Sequence, residues 1–226
     1  MIQCCEGSYE ILTPRIELRE GLERIEWAGR TCYQSYENKT ITQESAAKFC
    51  RRLLSSTPPH ESVLEHAELT VRFTGCSRGM THELVRHRLC AFSQESTRYV
   101  DYIKDTGGMR VVPFPDITAE EQEVFDAAME VIQNAYRRLR EMGRPPEDAR
   151  QVLPTALVSE IVVTANWREW RHIFELRCDR AAHWEIRRIM VKLLEELKKE
   201  LPGVFDDFVL KGEHRGIPYY QKEKKA

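Results

Sequence analysis

The chain has 226 residues, of which 42% are hydrophobic and 31% charged, a composition typical of ordinary globular proteins. Its 34 Lys and Arg against 36 Asp and Glu give a formal net charge of −2, which disfavours a dedicated nucleic-acid binder, because such domains carry a basic excess. No run of about eighteen apolar residues is present, so the sequence excludes a membrane-spanning helix.

The seven cysteines form no C-x-x-C pair, and their number is odd. This pattern favours free thiols in a reducing compartment over a disulfide framework or a zinc site, with a redox or metal role of Cys4 and Cys5 as the less favoured alternative. The stretch MIQCCEGSYEIL lacks a charged start followed by an apolar run, so we expect no secretory signal. We therefore predict a cytoplasmic protein without a metal site.

The first half of the chain is predicted to contain three helices and one strand. A helix is expected from about 19 to 29 and a second from about 42 to 54, where the sequence Ser-Ser-Thr-Pro-Pro ends it. The stretch ELTVRFTG alternates apolar with polar side chains, which is typical of a half-buried strand. Residues 80–86 are predicted to be helical.

A long helix is predicted next. Thr118 and Glu121 form a capping box at its start, and Gly143 supplies its end. The apolar residues that recur along it at helical spacing are Val124, Ala128, Val131, Ala135 and Leu139.

Three further segments complete the fold prediction. Residues 156–165 fit a strand or a buried helix, since β-branched residues favour the first and length favours the second. Helices are expected at about 168–178 and 182–201. Helices with a few antiparallel strands predict the α+β class, with a small antiparallel sheet packed against several helices. We expect a single domain over 1–226, with 222–226 as a frayed tail.

Phosphate-binding glycine motifs and the zinc helix are missing. Neither G-x-G-x-x-G nor G-x-x-x-x-G-K-[ST] occurs, so a phosphate would have to be bound by arginine side chains through bidentate hydrogen bonds. The segments HELVRH and HESVLEH resemble H-E-x-x-H, but their histidines are five and six residues apart, where two ligands on one helix face need four. A zinc hydrolase is therefore weakly supported.

The stretch RHRLCAFSQESTRY, from Arg86 to Tyr99, concentrates arginines and hydrogen-bonding side chains. Its second part is predicted to be extended, which would align Gln94, Ser96 and Arg98, because alternate residues of a strand share a face. An amide, a hydroxyl and a guanidinium in a row suit a polar, phosphorylated, planar ligand. An edge strand with solvated charges is the alternative that composition leaves open.

The segment REWRHIFELRC is predicted to be a helix in which Arg177 lies within the apolar arc of Trp170 and Phe174. A buried charge is costly unless it is paired, so Arg177 should meet either a buried carboxylate or an anionic ligand. Arg168 and His172 lie together on the opposite face. Taken alone, His172 also fits an ordinary surface histidine.

These residues resemble the signature of flavin-dependent thymidylate synthases, R-H-R followed after seven residues by Ser, whose wider form is R-H-R-x-x-S-x-N-E-x-S-x-R-Y. The chain keeps Arg86, His87, Arg88, Ser96, Arg98 and Tyr99. It has Ala91, Ser93 and Gln94 where the wider form has Ser, Asn and Glu. Glutamine, like glutamate, can accept a hydrogen bond from a ribose hydroxyl.

Three more elements match in the same order, so the resemblance covers about 60 to 180. The sequence HESVLEH, from His60, resembles the family element H-E-[ST]-x-x-E-H. Arg150 resembles a phosphate-binding arginine of the family. The sequence NWREWRHIFELR, from Asn166 to Arg177, resembles N-x-R-x-x-x-[NH]-x-x-x-x-R.

The resemblance implies a homotetramer that binds FAD in sites shared between subunits. The reaction would convert dUMP to dTMP, with methylenetetrahydrofolate as carbon donor and NADPH as reductant. The positions that match FAD-binding residues are Ser62, Arg86, His87, Arg88, Gln94, Asn166, Arg168 and His172. The positions that match dUMP-binding residues are Glu83, Leu84, Val85, Arg86, Gln94, Glu95, Ser96, Thr97, Arg98, Arg150 and Arg177.

Arg177 and His60 are the predicted catalytic residues. Uracil C5 is a weak nucleophile, and a permanent cation in an apolar setting would stabilise negative charge on the ring and make C5 attack more readily. Arg177 fits this role, and His60 matches a family histidine near the flavin ring. Ser96 is assigned to binding because nothing nearby resembles a dedicated base.

Two other classes of protein were weighed against this hypothesis. A metal-dependent nucleotide phosphohydrolase would use His60, Glu61, Glu65, His66, His82 and Glu83. An RNA-binding module would use Arg86, Arg88, Arg98 and Tyr99, and its binding to single strands would depend strongly on salt. The resemblance favours the flavin enzyme, without a nucleic-acid or membrane partner.

Overall fold

A computed structural model describes residues 3–35 and 40–223. These residues contain seven α-helices, eight β-strands and two short 3₁₀ turns, Glu61–His66 and Arg150–Val152. The helices are α1 (Arg15–Thr31), α2 (Gln43–Leu54), α3 (Arg78–Leu84), α4 (Ala119–Glu141), α5 (Pro146–Ala149), α6 (Trp167–Arg177) and α7 (Trp184–Glu200). The strands are β1 (Gln3–Cys4), β2 (Ser8–Ile11), β3 (Glu68–Ser77), β4 (Ala91–Gln94), β5 (Arg110–Val111), β6 (Val158–Asn166), β7 (Phe208–His214) and β8 (Ile217–Lys222).

The strands form small sheets. Four of them make one sheet in the order β2-β3-β6-β4. Strands β7 and β8 form an antiparallel hairpin whose register shifts between Leu210 and Gly212. Strands β1 and β5 are two residues long and pair in parallel. The mixture of helices with small sheets confirms the predicted α+β class.

The described residues group into two compact units. Unit 1 takes its residues from Met1–Ser8, Phe73–Arg86 and Phe92–Val162. Unit 2 takes its residues from Tyr9–Arg72, His87–Ala91 and Val163–Ala226. The expectation of a single domain over 1–226 stays a prediction.

Most predicted elements are present. The helices expected near 19–29, 42–54, 80–86, 168–178 and 182–201 are α1, α2, α3, α6 and α7, of which α1 is longer than expected at both ends. The stretch ELTVRFTG lies in β3, and its apolar side chains are fully buried. Residues 156–165, which fitted a strand or a buried helix, contribute most of β6, in keeping with their β-branched side chains.

Unit 2 has its core around α6 and α7. Trp167, Trp170 and Phe174 of α6 are completely buried, and so are Ile186 and Leu197 of α7. Helix α7 buries side chains around most of its circumference, as a helix does when neighbours cover it on several sides. This core holds α6, which carries several of the predicted site residues, in a fixed position.

Helix α4 of unit 1 has the predicted ends. Thr118 Oγ1 accepts from the backbone N of Glu121 at 3.3 Å, and the Glu121 carboxylate accepts from the backbone N of Thr118 at 2.8 Å. This reciprocal pair is the capping box that the sequence predicts. Gly143 follows the helix with a φ of +88°, a conformation that glycine adopts without the strain of a side chain.

The apolar repeat of α4 lies mostly outside the core of unit 1, although its last member, Leu139, packs against that core. Val124 and Val131 are 68% and 69% exposed, whereas the buried side chains of the helix are Met129 and Tyr136. The ring of Tyr136 packs edge-on against Tyr102 in that core, with 6.0 Å between centroids. The exposed members of the repeat are therefore Val124, Ala128 and Val131, in the first half of the helix.

The prediction that the frayed tail begins at Lys222 is wrong for that residue. Lys222 pairs with Phe208 in the β7–β8 hairpin, and its Nζ lies 2.7 Å from the carboxylate of Glu175. Residues 224–226 lie outside the described residues. In the part of the chain that the structure describes, no helix combines the length and apolar character that a membrane crossing requires.

Candidate functional site

The strand predicted to align Gln94, Ser96 and Arg98 is shorter than expected. Strand β4 ends at Gln94, and the chain then turns, since the backbone N of Tyr99 and of Val100 both donate to the carbonyl of Ser96, at 3.2 and 3.1 Å. Local hydrogen bonding therefore outweighs the strand preference of these residues, and the prediction of one aligned face is wrong.

Gln94 is held at the end of β4 by two hydroxyl groups. Its Nε2 lies 2.8 Å from Thr81 Oγ1 and 3.4 Å from Ser159 Oγ. Thr81 Oγ1 itself donates to the carbonyl of Arg78 at 3.0 Å, so it accepts from Gln94. Because its amide nitrogen is used in this way, Gln94 presents its carbonyl oxygen as the group that can accept from a ligand.

The turn after β4 lies beside Arg150. Arg150 Nη1 donates to Oγ1 of the buried Thr97 at 3.2 Å. Arg98 is exposed, and its Nε and Nη2 lie 3.4 and 3.2 Å from the exposed carboxylate of Glu147. An ion pair at this exposure contributes no more than about 1 kcal/mol, so an anionic ligand can replace Glu147 at Arg98.

The other predicted dUMP residues of unit 1 differ in accessibility. Arg86 is exposed, and no acceptor among residues 3–35 and 40–223 contacts its guanidinium. The Leu84 side chain is fully buried, so only its backbone can face a ligand. Glu95 accepts from the Tyr102 hydroxyl at 2.6 Å, and burial together with this bond raises the pKa of Tyr102, which stays protonated. The half-buried members of the set are Glu83, Val85 and Glu95.

His87 is the centre of a cluster in unit 2. It is 4% exposed, its Nε2 accepts from Arg177 Nε at 3.0 Å, and its Nδ1 lies 3.8 Å from Glu169 Oε1. Burial, with the charges of Arg177 and His172, lowers the pKa of His87 to about 4, so the imidazole is neutral at pH 7. A neutral ring that accepts at Nε2 carries its proton on Nδ1, on the side of Glu169.

Arg177 is half-buried, where its place in the apolar arc of α6 predicts full burial. The fully buried arginine of α6 is Arg171, 2% exposed, whose two terminal nitrogens each bond to Asp207 at 2.7 Å and which approaches Glu61 at 3.3 Å. Arg177 ends the helix, and the last turn of a helix is covered by neighbours on fewer sides. The expected enclosed cation is therefore Arg171.

The first turn of α6 and the 3₁₀ turn Glu61–His66 carry several predicted FAD residues. Arg168 Nη1 bonds to Glu65 at 2.6 Å, which links the two elements. Asn166 caps α6, with its Oδ1 accepting from the backbone N of Glu169 at 2.9 Å, so its amide nitrogen is the group that can donate to a ligand. The exposed predicted residues of this unit are His60, Ser62, Arg88, Arg168 and His172.

His172 packs against the cluster, with its ring edge-on to His87 and 5.7 Å between centroids. Among the described residues, the group that brings three metal-ligating side chains together within 4.8 Å is His87, Glu169 and His172. Because the guanidinium of Arg177 already bonds to His87 Nε2, its positive charge would repel a metal ion at this point. The six residues of the phosphohydrolase alternative form no such group within the described chain, so that alternative has no support.

Burial raises the pKa of several thiols of the described chain. Burial, followed by the charge of Glu169, raises the pKa of Cys90 to about 12. Burial also raises the pKa of Cys50 to about 12. A nucleophilic cysteine needs a lowered pKa, so these thiols support the expectation that cysteine is not the catalytic group.

Two carboxylates were not identified from the sequence: Glu169, which lies beside His87, and Asp207, which bonds to Arg171. Glu169 lies three residues before His172, a spacing that places the two on one helix face, and this signal was available. Asp207 lies 36 residues from Arg171, and no local pattern connects them.

Comparison with known proteins extends these observations. A family model described as thymidylate synthase complementing protein matches residues 16–203. A flavin-dependent thymidylate synthase from Geobacter sulfurreducens is 42% identical over 185 residues, which cover 80% of this chain and 78% of the relative. The match therefore extends well beyond the short motifs.

Two solved structures have the same fold. Thymidylate synthase X from Helicobacter pylori, solved with FAD and dUMP, is 22% identical with a TM-score of 0.67, and the match covers 90% of this chain and 98% of that chain. The UMP/dUMP methylase PolB from Streptomyces cacaoi, bound with 5-Br dUMP, is 22% identical with a TM-score of 0.69, and covers 91% and 96%. With the family model and the sequence identity, these findings show that the chain belongs to the flavin-dependent thymidylate synthase family.

Proposed function

We propose that this chain catalyses the reductive methylation of dUMP to dTMP, a step of pyrimidine deoxynucleotide synthesis, with FAD as cofactor. Membership of the family supports this activity. The observation that carries it is the turn after β4, where Arg150 is bonded to the residue that precedes the exposed Arg98. We further propose methylenetetrahydrofolate as the carbon donor and NADPH as the reductant.

The donors and acceptors of unit 1 suit dUMP. Arg98 and Arg150 are permanent cations whose planar guanidinium groups match phosphate oxygens. Gln94 presents a carbonyl oxygen, fixed by Thr81 and Ser159, that would accept from a ribose hydroxyl. Ser96 contributes a hydroxyl at the same turn, in a binding role.

The exposed donors of unit 2 fit the phosphates and hydroxyls of FAD. Arg88 and Arg168 offer guanidinium groups, Ser62 a hydroxyl, and the N-terminal end of α6 adds the positive end of the helix dipole. Asn166 and His172 add further hydrogen-bonding groups. The buried His87 packs edge-on against His172 and so helps to position it. Arg86 and Gln94, also assigned to FAD, belong to unit 1. When bound, FAD supplies hydride-transfer chemistry that side chains lack.

Arg177 is assigned to activation of the uracil ring. Its Nε donates to the neutral imidazole of His87, and this bond orients the guanidinium. A guanidinium so held would stabilise negative charge on a ring oxygen as C5 attacks. His60, exposed before the 3₁₀ turn, is assigned to a position beside the flavin ring.

We also propose that the chain acts as a single domain, assembles as a homotetramer with FAD sites shared between subunits, and works in the cytoplasm. The free cysteines are in keeping with a reducing compartment. Sedimentation analysis of the purified protein should give four times the chain mass of 26.5 kDa. A different mass would contradict the tetramer without touching the activity.

The activity is tested by measuring dTMP formation anaerobically with FAD, dUMP, methylenetetrahydrofolate and NADPH, each omitted in turn. We expect product only when all four are present. UMP in place of dUMP tests the sugar preference. No product from protein that holds flavin would contradict the proposed substrate or reductant.

Arg150→Ala tests the phosphate role. Loss of a charge-assisted hydrogen bond should raise the KM for dUMP roughly ten- to a hundredfold. Arg144→Ala is the matched control, because Arg144 lies just before α5, is exposed and pairs with Asp148. An unchanged KM for Arg150→Ala would remove this residue from the dUMP site.

A further inference from the structure

Two consecutive residues of strand β8 bond to the two residues that follow helix α6. The backbone N of Tyr220 donates to the carbonyl of Cys178 at 2.9 Å. The Nε2 of Gln221 donates to the carboxylate of Asp179 at 2.7 Å. Because Arg177 is the last residue of α6, these two bonds fix the chain directly after it.

The β7–β8 hairpin that makes these bonds lies beyond residue 203, where the match to the family model ends. Its core-facing side chains include Phe208 and Ile217, which are 0% and 4% exposed, so the hairpin is anchored in unit 2. Lys222 adds a further contact with α6, since its Nζ lies 2.7 Å from the carboxylate of Glu175. The end of α6 is therefore attached to a part of the chain that the family match does not include.

Arg187 of α7 holds the rest of the loop that leads out of α6. Its side chain is 1% exposed, and its Nη1 donates to the carbonyls of Arg180 and Ala182 at 2.8 and 2.9 Å. Its Nη2 donates to the carbonyl of His214, the last residue of β7, at 2.8 Å. One planar guanidinium thus joins α7, the loop after α6 and the hairpin.

The partners of Arg187 are unusual for a buried cation. No carboxylate of the described residues lies within ion-pair distance of it, and its Nε is buried without a hydrogen-bond partner there. A buried charge without a carboxylate is costly, as the contrast with the paired Arg171 shows. What Arg187 contributes is three directed bonds to backbone carbonyls, so the path of the loop depends on it.

We propose that Arg187 and strand β8 position Arg177 by fixing the chain that directly follows α6. The last carbonyls of a helix have no partners within it, so its last turn frays unless other segments hold it. The bond from Arg177 Nε to His87 Nε2, 3.0 Å long, requires that turn to stay in place. Arg187 and Gln221 are therefore positioning residues, and their role rests on the proposed assignment of Arg177 to activation of the uracil ring.

The first test reports the place of Arg177 without any substrate. Burial is the main cause of the low pKa of His87, and the charge of Arg177 is the next. In Arg187→Met the guanidinium of Arg177 should move away, so the pKa of His87 should rise. NMR titration of isotope-labelled histidine between about pH 8 and pH 5 measures this change. Arg188→Ala is the matched control, because Arg188 lies over the ring of Trp184 and should leave the pKa unchanged.

The second test measures turnover in two backgrounds. Arg187→Met should lower kcat roughly ten- to a hundredfold with flavin retained, because a displacement of about 1 Å can cost this much. In the Arg177→Ala protein the same substitution should lower kcat by less than about twofold, since the group that it positions is missing. A residue that only supports the fold would lower kcat by the same factor in both backgrounds.

Gln221→Leu provides a milder variant that keeps the proposal testable if Arg187→Met does not fold. Gln221 is exposed, and loss of its bond to Asp179 should lower kcat about threefold and raise the pKa of His87. The matched control is Lys211→Leu, because Lys211 is exposed on the same hairpin, and its kcat should equal that of the unaltered protein.

An unchanged pKa of His87 in the folded variants would overturn the proposal, and so would equal losses of kcat with and without Arg177. An unaltered protein that forms no dTMP would overturn the proposed function instead. The histidine titration would still decide whether Arg187 and Gln221 position Arg177, because it requires no turnover.

Discussion

The middle and the C-terminal end of helix α6 show two ways of holding an arginine. Arg171, in the middle of the helix, is 2% exposed and bonded to Asp207 and Glu61, with the ring of Phe208 5.3 Å from its guanidinium carbon. Arg177, at the end, is half-buried and bonded to the imidazole of His87. Carboxylates cancel the charge of Arg171, whereas the imidazole that bonds to Arg177 is neutral and orients its guanidinium.

This difference separates a structural from a functional role. A buried cation that is saturated by carboxylates contributes to the fold, and removing a partner leaves a charge without compensation. Arg177 ends its helix, is half-buried and bonds to a neutral imidazole, so it is accessible to a ligand in a way that Arg171 is not. We therefore expect substitutions that affect Arg171 and substitutions of Arg177 to change different measurements.

Arg177→Ala gives the largest expected effect. Loss of one electrostatic donor to a developing anion should lower kcat by roughly a hundred- to a thousandfold, with flavin retained. Turnover and the flavin absorbance spectrum are the measurements. Arg177→Lys keeps the charge but cannot reproduce the Nε contact, so its kcat should lie between those of the unaltered protein and Arg177→Ala. Full turnover of Arg177→Ala would remove this residue from catalysis.

Asp207→Ala should instead lower stability, by about 2–3 kcal/mol, because Arg171 loses both bonds to this carboxylate while Glu61 remains. Urea denaturation measures the change. Asp206→Ala is the matched control: the neighbouring Asp206 pairs with Arg51 at the surface, and its removal should cost less than about 1 kcal/mol. Equal losses would contradict the structural role of the buried pair.

Glu169→Leu tests how Arg177 is positioned. Without a carboxylate beside Nδ1, His87 loses the group that favours its proton there, and kcat should fall about fivefold, the effect of roughly 1 kcal/mol, with the KM for dUMP unchanged. Glu169→Gln retains an oxygen acceptor and should restore most of the turnover. An equal defect in Glu169→Gln would indicate that Glu169 acts through its charge or through packing.

His87 should make stability depend on pH. Its pKa is about 4 in the folded chain and about 6.5 when unfolded, so as pH falls below about 6.5 the unfolded chain gains a proton that the folded chain does not. Stability therefore decreases from about pH 6.5 towards pH 4 and is independent of this group above that range. His87→Gln should flatten the dependence of unfolding free energy on pH in this range. Substitution of the exposed His82 by Gln should leave that dependence unchanged.

The chain's own pattern determined the elements and the chemistry. The capping box at Thr118 and the alternation of β3 depend on neighbours within a few residues, so they were predictable from local sequence. The motifs around Arg86, Arg150 and Asn166 indicated the family, which the comparisons then showed. The sequence therefore indicated which residue types form the site, but not how they are arranged in space.

Only the tertiary structure decided which charges are buried and which surfaces stay open. Periodicity placed Arg177 in the apolar arc, but Asp207 and Phe208, far along the chain, enclose Arg171 instead. The turn at Ser96 and the exposure of Val124 and Val131 on α4 were likewise missed. Local spacing specifies the direction of a side chain along its own element, whereas burial depends on what distant segments place against it.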